Sequence, residues 1–283
     1  MFKTLGNIIK WIGQHFLGML FLLIVLVVLM PQTAPLNPPN LQRIDLFGPI
    51  IDADDIVKQI EKAQNDPSIK GILLNVNSPG GSVPPSIEIA YAIKELKQHK
   101  PVIAYASGIM ASGSYYSAIY ANKIIANPGA IVGSIGVIME SANIKELMDK
   151  IGIKPQIVKQ GTYKEAGTPT REWTQQERAE LETLTHDTYM LFVQDVASAR
   201  GLDVNNSAHY ADAHIFSPVR AKTAGLIDEI GTMSTAKAQL ALLANVKNPV
   251  WKEKDKLETF MDQLGNETVL KIQNYFYGLK ASL

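Results

Sequence analysis

Between residues 44 and 140 short apolar runs alternate with stretches of helical period, and this alternation limits the fold more than any single residue does. Residues 44–51 read as a strand. Asp54 or Asp55 then opens a helix that sets Ile56, Ile60 and Ala63 on one face. Residues 71–76 form a short buried strand that ends at Asn77-Ser78-Pro79-Gly80-Gly81-Ser82. Pro84 or Pro85, suited to a first helical turn, starts a second helix carrying Ile89, Ala90, Ile93 and Leu96. Residues 102–106 are a third strand, and strand, turn and helix recur through 112–120, 123–126 and 132–140. Repeated crossover units predict a mainly parallel sheet with helices packed outside it. Further on, Thr174-Gln175-Gln176-Glu177 is a capping box opening a long helix, whose Leu181, Leu184, Leu191 and Phe192 form an apolar stripe.

A chain of 283 residues with 46% hydrophobic content can bury one sizeable core plus short appendages. The 27 basic residues balance 27 acidic ones, so nothing in the charge calls for nucleic acid as a partner. The absence of cysteine excludes disulfides and thiolate metal sites, without identifying a compartment.

The N-terminus does speak to location. Residues 16–30 are an unbroken apolar stretch, and extending it back through Ile12 and Trp11 gives the roughly 20 residues a helix needs to cross the hydrocarbon layer. A cleaved secretory signal is the competing reading, but Pro31-Gln32-Thr33-Ala34-Pro35 lacks an Ala-x-Ala pattern and places proline after the one small candidate residue. Lys3 and Lys10 precede the span and the next basic residue is Arg43, which puts the N-terminus in the cytoplasm and the remainder outside it. The expected organisation is a cytoplasmic tip and anchor over 1–30, a proline-rich spacer over 31–40, the main domain over 41–245 and a helical tail over 246–283. That tail carries two stripes, Leu257, Phe260, Met261, Leu264 and then Val269, Ile272, Phe276, Leu279, suited to packing on the domain or on a sister subunit.

The chemistry-bearing segments are Ala111-Ser112-Gly113-Ser114-Tyr115-Tyr116 and Gly161-Thr162-Tyr163-Lys164. A serine among small residues and a lysine elsewhere in the chain are the parts of an acylatable hydroxyl with an amine base. Attack on a carbonyl also needs backbone N–H donors converging on the developing oxyanion. Gly80 and Gly81, between a strand end and a helix start, present such donors with no side chain in the way. Each segment has a plainer explanation as well: a tight turn at Gly80-Gly81, an N-cap at Ser112, a solvated surface lysine beside Glu165. Ser114 is a rival nucleophile. A lysine, ordinarily titrating at about 10.4, serves as a base only where burial favours its neutral form.

Other chemistries fit less well. Of the five histidines, His15 falls in the anchor and His99 at a solvated helix end, while His186 points away from the apolar stripe of its helix. His209, Asp212 and His214 are a poor zinc set, and no metal or cofactor is expected. No Walker phosphate loop is present, so nucleotide dependence is not encoded in this chain.

Residues of roughly 45 to 235 resemble the signal peptide peptidase A family, membrane-associated serine peptidases with a Ser/Lys dyad. Four landmarks in order carry the resemblance: 77–82, 111–116, Val132-Gly133-Ser134-Ile135-Gly136-Val137-Ile138, and 161–164. It implies a crotonase-like and Clp-protease-like α/β fold of repeated β-β-α units. It implies Ser112 as nucleophile, Lys164 as general base and Ser134 as the residue orienting that lysine. Gly80, Gly81 and Gly113 would form the oxyanion hole. Ser82 and Ser114 stand where the family usually has glycine. The implied substrates are remnant signal peptides and other apolar peptides. The implied assembly is a homo-oligomer, an octamer in short members, with serine and lysine contributed by neighbouring subunits. An acyl-thioester enzyme of crotonase type and a catalytically silent membrane scaffold are the alternatives.

Overall fold

The computed structural model describes residues 11, 14–22 and 38–252. Two compact units are distinguished, one up to Pro38 and one from Pro39 onward. In the first, residues 14–22 are helical. The rest of the expected anchor lies outside the described residues, among which no helix is long and apolar enough to cross a membrane. The stripes of the expected tail, beyond Lys252, also lie outside them.

The second unit is built on an eight-stranded sheet: β1 (Leu41–Phe47), β2 (Gly71–Ser78), β3 (Val102–Ala111), β4 (Lys123–Ala126), β5 (Ile131–Gly133), β6 (Ile215–Phe216), β7 (Glu229–Ile230) and β8 (Trp251–Lys252). The main path runs β6-β5-β3-β2-β1-β8, with β4 on β3 and β7 on β4. Every pairing is parallel except β5 with β6. Helices α1 (Asp54–Asn65), α2 (Val83–His99) and α3 (Gly113–Ala118) are the crossovers between β1, β2, β3 and β4. They bury Ile60, Ala63, Ile89, Ile93 and Leu96 against Ile44, Ile72, Leu74 and Ala104 of the sheet. The other face carries a smaller core of Leu41, Leu73, Ile103, Tyr105 and Ile125, covered by Ala236 and Leu240 of α7 (Met233–Leu243). Between them in sequence lie α4 (Lys145–Ile151), α5 (Gln175–Arg200) and α6 (Pro218–Thr223).

The sheet forks at β3. Its first half pairs with β4 from Ile103 to Ala106, and its second half pairs with β5 from Ile109 to Ala111. The fork coincides with a register shift against β2 between Val76 and Ser78. There the Asn77 Oδ1 accepts the Ile109 N–H at 3.0 Å, replacing a missing ladder bond. The second half of β3 is thereby aimed at the site and delivers Ser112 at its end.

Two expectations need adjustment. In the last expected repeat, 132–140, regular structure stops at Gly133, because Gly133 (φ +103°) and Ser134 (φ +52°) take consecutive positive φ values that no ladder tolerates. The apolar stripe of α5 is only partly internal. Phe192, Val193, Val196 and Ala197 are buried, whereas Leu184 and Leu191 are exposed. At the sheet's edge Trp251 and Lys252 pair with Leu41 and Gln42 of β1.

Candidate active site

The turn from β2 into α2 and the turn from β3 into α3 meet face to face. Gly80 takes φ +96°, and a Cβ there would come within 2.6 Å of the Gly113 nitrogen. Gly81 bridges Ile50 so closely that a Cβ would lie 2.1 Å from the Ile50 carbonyl oxygen. The Gly80 N–H, one of the expected oxyanion donors, is taken by the Ser78 hydroxyl at 3.2 Å. Among the described residues the Gly81 and Gly113 N–H groups have no acceptor. They are therefore the two donors available at this point.

Ser112 sits between them at φ 53°, ψ −126°, a combination rare for an L residue. Its backbone is pinned on both sides: its N–H donates to the Gly133 carbonyl at 2.8 Å and its carbonyl accepts from Tyr116 N–H at 3.0 Å. Although Ser112 occupies the N-cap position of α3, its side chain makes no capping bond. Ser112 instead lines a shallow cleft together with Gly81, Gly113, Val83, Ser86, Ile87, Tyr116, Gly136, Val137, Thr188, Leu191 and Phe192. The apolar lining suits a hydrophobic side chain.

Ser114 is in a different situation. It is fully buried, its Oγ accepts from the Ala111 N–H at 2.9 Å, and it lies 2.6 Å from the Ser78 carbonyl, to which it donates. That hydroxyl clamps the ends of β2 and β3 together and has no access to a substrate.

One wall of the cleft is fixed by a group that sequence reasoning missed. The Tyr116 hydroxyl donates to Asp195 of α5, and its ring packs on Phe192 at 4.6 Å. Burial and the Asp195 carboxylate both push the Tyr116 phenol well above its ordinary range, so it stays a neutral donor. Tyr116 was visible in the sequence only as an aromatic neighbour of the serine. Its partner is far along the chain, and no local pattern announces it.

The remaining expected residues lie apart. Ser134 follows Gly133, whose carbonyl holds Ser112, and its own N–H donates to the His214 carbonyl at 2.7 Å. Lys164 does not line the Ser112 cleft; it is exposed on a succession of turns. Among the described residues neither the Lys164 amine nor the Ser134 hydroxyl makes a hydrogen bond. The neighbouring Glu165 does, receiving Lys159 at 2.6 Å and Arg171 at 3.1 Å, and both cations hold its carboxyl below the usual range, Lys159 contributing most. Arg171 in turn forks onto Glu177, in the first turn of α5. Glu165, Arg171 and Glu177 were legible only in part: Glu177 as the capping residue, Glu165 only as the neighbour of Lys164, and Arg171 not at all.

A forked parallel sheet that sets a strained, uncapped serine opposite two free backbone donors is the framework of a Clp-protease-like hydrolase. A Clp protease model matches residues 42–127, and the family model "Peptidase family S49" matches residues 94–247. The chain belongs to peptidase family S49, the signal peptide peptidase A type of serine peptidases. It is 42% identical over 198 residues to a protein of Methanocaldococcus jannaschii that carries the provisional name protease, covering 70% of this chain and 64% of that one. It is 32% identical to the chloroplastic serine protease SPPA of Arabidopsis thaliana, over 70% of this chain but only 30% of the plant protein. The chain thus spans less than two thirds of either relative. Among solved structures, a mutant of the 1510-N membrane-bound stomatin-specific protease shares the fold at TM-score 0.52 and 14% identity, covering 77% of this chain and 99% of the other.

Proposed function

We propose that this protein is a serine endopeptidase in which Ser112 forms the acyl-enzyme and Lys164 of a neighbouring copy is the general base. The observation that carries the reading is Ser112 itself: a strained backbone, a hydroxyl without a capping bond, and two unpaired N–H groups beside it. In the proposed cycle the lysine amine takes the Ser112 proton as Oγ attacks the peptide carbonyl. The oxyanion that forms is held by the Gly81 and Gly113 N–H groups. Collapse breaks the C–N bond, the ammonium returns its proton to the departing amine, and water then hydrolyses the ester by the same route.

Within one chain Lys164 does not line the Ser112 cleft, and this supports a shared site. Through Glu165 and Arg171 the lysine turn is tied to Glu177, whereas the Ser112 cleft meets α5 at Thr188. A second copy that covers Lys164 would also supply the desolvation a lysine base needs. The partner in this reading is a homo-oligomer, octameric as the family resemblance implies, anchored through residues 11–30 with its peptidase domain outside the cytoplasm. The substrates are apolar peptides such as signal-peptide remnants, bound extended with an aliphatic side chain in the cleft.

The test is hydrolysis of a quenched apolar peptide by the full chain in detergent, comparing wild type, Ser112→Ala, Lys164→Ala and an equimolar mixture of the two variants. Each variant alone should lose at least about 10³-fold in kcat, and the mixture should regain activity. Full activity in Lys164→Ala would end the dyad reading and bring forward the acyl-thioester and scaffold alternatives.

A further inference from the structure

The turn carrying Lys164 is held by a charge network to which the hydrolytic scheme gives no task. Gly161 (φ +97°) and Gly167 (φ +89°) flank the turn, and a Cβ at either would meet nothing within 4 Å. Such a segment has little packing of its own to fix it. Its charged tether is Glu165, directly after the lysine, which binds Arg171. Arg171 places one guanidinium nitrogen 2.8 Å and the other 2.7 Å from the two carboxylate oxygens of Glu177, and donates to the Glu172 carbonyl at 2.9 Å. The Glu177 side chain is only 3% exposed and also accepts the Thr174 N–H at 2.9 Å. It therefore belongs to the rigid start of α5, whose other end is in the core. A planar guanidinium engaged by both nitrogens resists rotation in a way a single ion pair does not.

We propose that Arg171 is a positioning residue for Lys164: forked onto Glu177 and reaching Glu165, it fixes the lysine-bearing turn on the start of α5 and presents the amine to the Ser112 of another copy in one register. The inference rests on the assignment of Lys164 as the base. Because the amine and the serine then belong to different chains, the clamp matters only in the chain that donates the lysine. A network that merely supported the fold would matter equally in both.

Mixed oligomers of the full chain in detergent separate these cases. In one mixture Lys164→Ala, the serine donor, is combined with Ser112→Ala/Arg171→Met, the lysine donor. In the other, Lys164→Ala/Arg171→Met is combined with Ser112→Ala. Relative to the parent mixture, the first should lose about 10- to 100-fold in kcat, the scale expected for a misplacement of about 1 Å. Its KM should change less than about twofold, since the clamp does not touch the peptide. The second mixture should keep its rate within about twofold. Arg171→Lys in the lysine donor should recover part of the loss, keeping the charge without the fork. Glu165→Gln in the lysine donor leaves the α5 cap intact and should reproduce the loss, guarding against an Arg171 variant that does not fold. Equal losses in both mixtures, or no loss in either, overturn the proposal while the dyad stands. An inactive parent mixture, or a fully active Lys164→Ala protein, overturns it together with the base assignment.

Discussion

Ser112 is held at φ 53°, ψ −126° by its hydrogen bonds to Gly133 and Tyr116, in a region that costs an L residue on the order of 1–3 kcal/mol. Glycine enters that region without a Cβ penalty. Ser112→Gly should therefore unfold at a higher temperature than Ser112→Ala, by the equivalent of about 1 kcal/mol, with both inactive. Calorimetry of the pair checks this, and identical midpoints would remove strain from the account of the site. Ser114 gives the opposite expectation. Its hydroxyl accepts the Ala111 N–H and donates to the Ser78 carbonyl, all within the core. Ser114→Ala strands buried polar groups and should cost about 1–3 kcal/mol in denaturant unfolding, while the folded fraction keeps its acylation chemistry. If Ser114→Ala folds normally but no longer acylates, the two serines have been assigned in the wrong order. In Ala111-Ser112-Gly113-Ser114 nothing local tells them apart. What separates them is the carbonyl of Ser78, on another strand and brought close only by the parallel pairing of β2 with β3.

At the level of elements, legibility followed how local the deciding interaction is. The apolar faces of α1 and α2, the range of β4 and the capping box of α5 could be read ahead of the structure because a period or a cap residue lies inside each segment. The repeat expected over 132–140 was not legible in detail, since Gly133 and Ser134 leave the extended region to meet Ser112 and His214, contacts outside their own segment. The stripe on α5 was read as apolar throughout, yet Leu184 and Leu191 are exposed, and Leu191 lines the Ser112 cleft rather than the core. The start of α5 carries an acid-sensitive feature that follows from its cap. Arg171, then the Thr174 N–H, holds the Glu177 carboxyl down at about 2 against an ordinary 4.5. A depressed carboxyl contributes its stabilisation in full above its unfolded value and loses it as pH falls toward the folded one. Wild type should accordingly lose thermal stability between about pH 4.5 and 2 more steeply than Glu177→Gln. Parallel curves for the two proteins over that window would show that the cap is not pH-linked.

For the whole molecule, the distribution of exposed apolar surface is where the proposed oligomer can be tested. Among the described residues Ile138, Leu147, Ile151, Ile153 and Val158 project from the segment around α4, with Ile138 82% and Val158 fully exposed. Scattered exposed aliphatics are ordinary, but a run of them in the segment between the Ser112 cleft and the Lys164 turn is the composition of a buried contact. The same segment lies in sequence between the two halves of the proposed dyad. Burying it against another copy would cover the apolar side chains and bring a lysine to a serine in a single step. Carboxylates placed there test this without touching the core. In an isolated chain Ile153→Asp/Val158→Asp replaces exposed side chains, so the unfolding free energy should move by no more than about 0.5 kcal/mol per site. In the assembly the same charges would be desolvated without partners. Sedimentation velocity should therefore find the double variant as small species with an unchanged unfolding midpoint, and peptide hydrolysis should fall with assembly size. Small species that hydrolyse peptide at the wild-type rate would place a complete site within one chain, and both the shared dyad and the clamp at Arg171 would have to be abandoned.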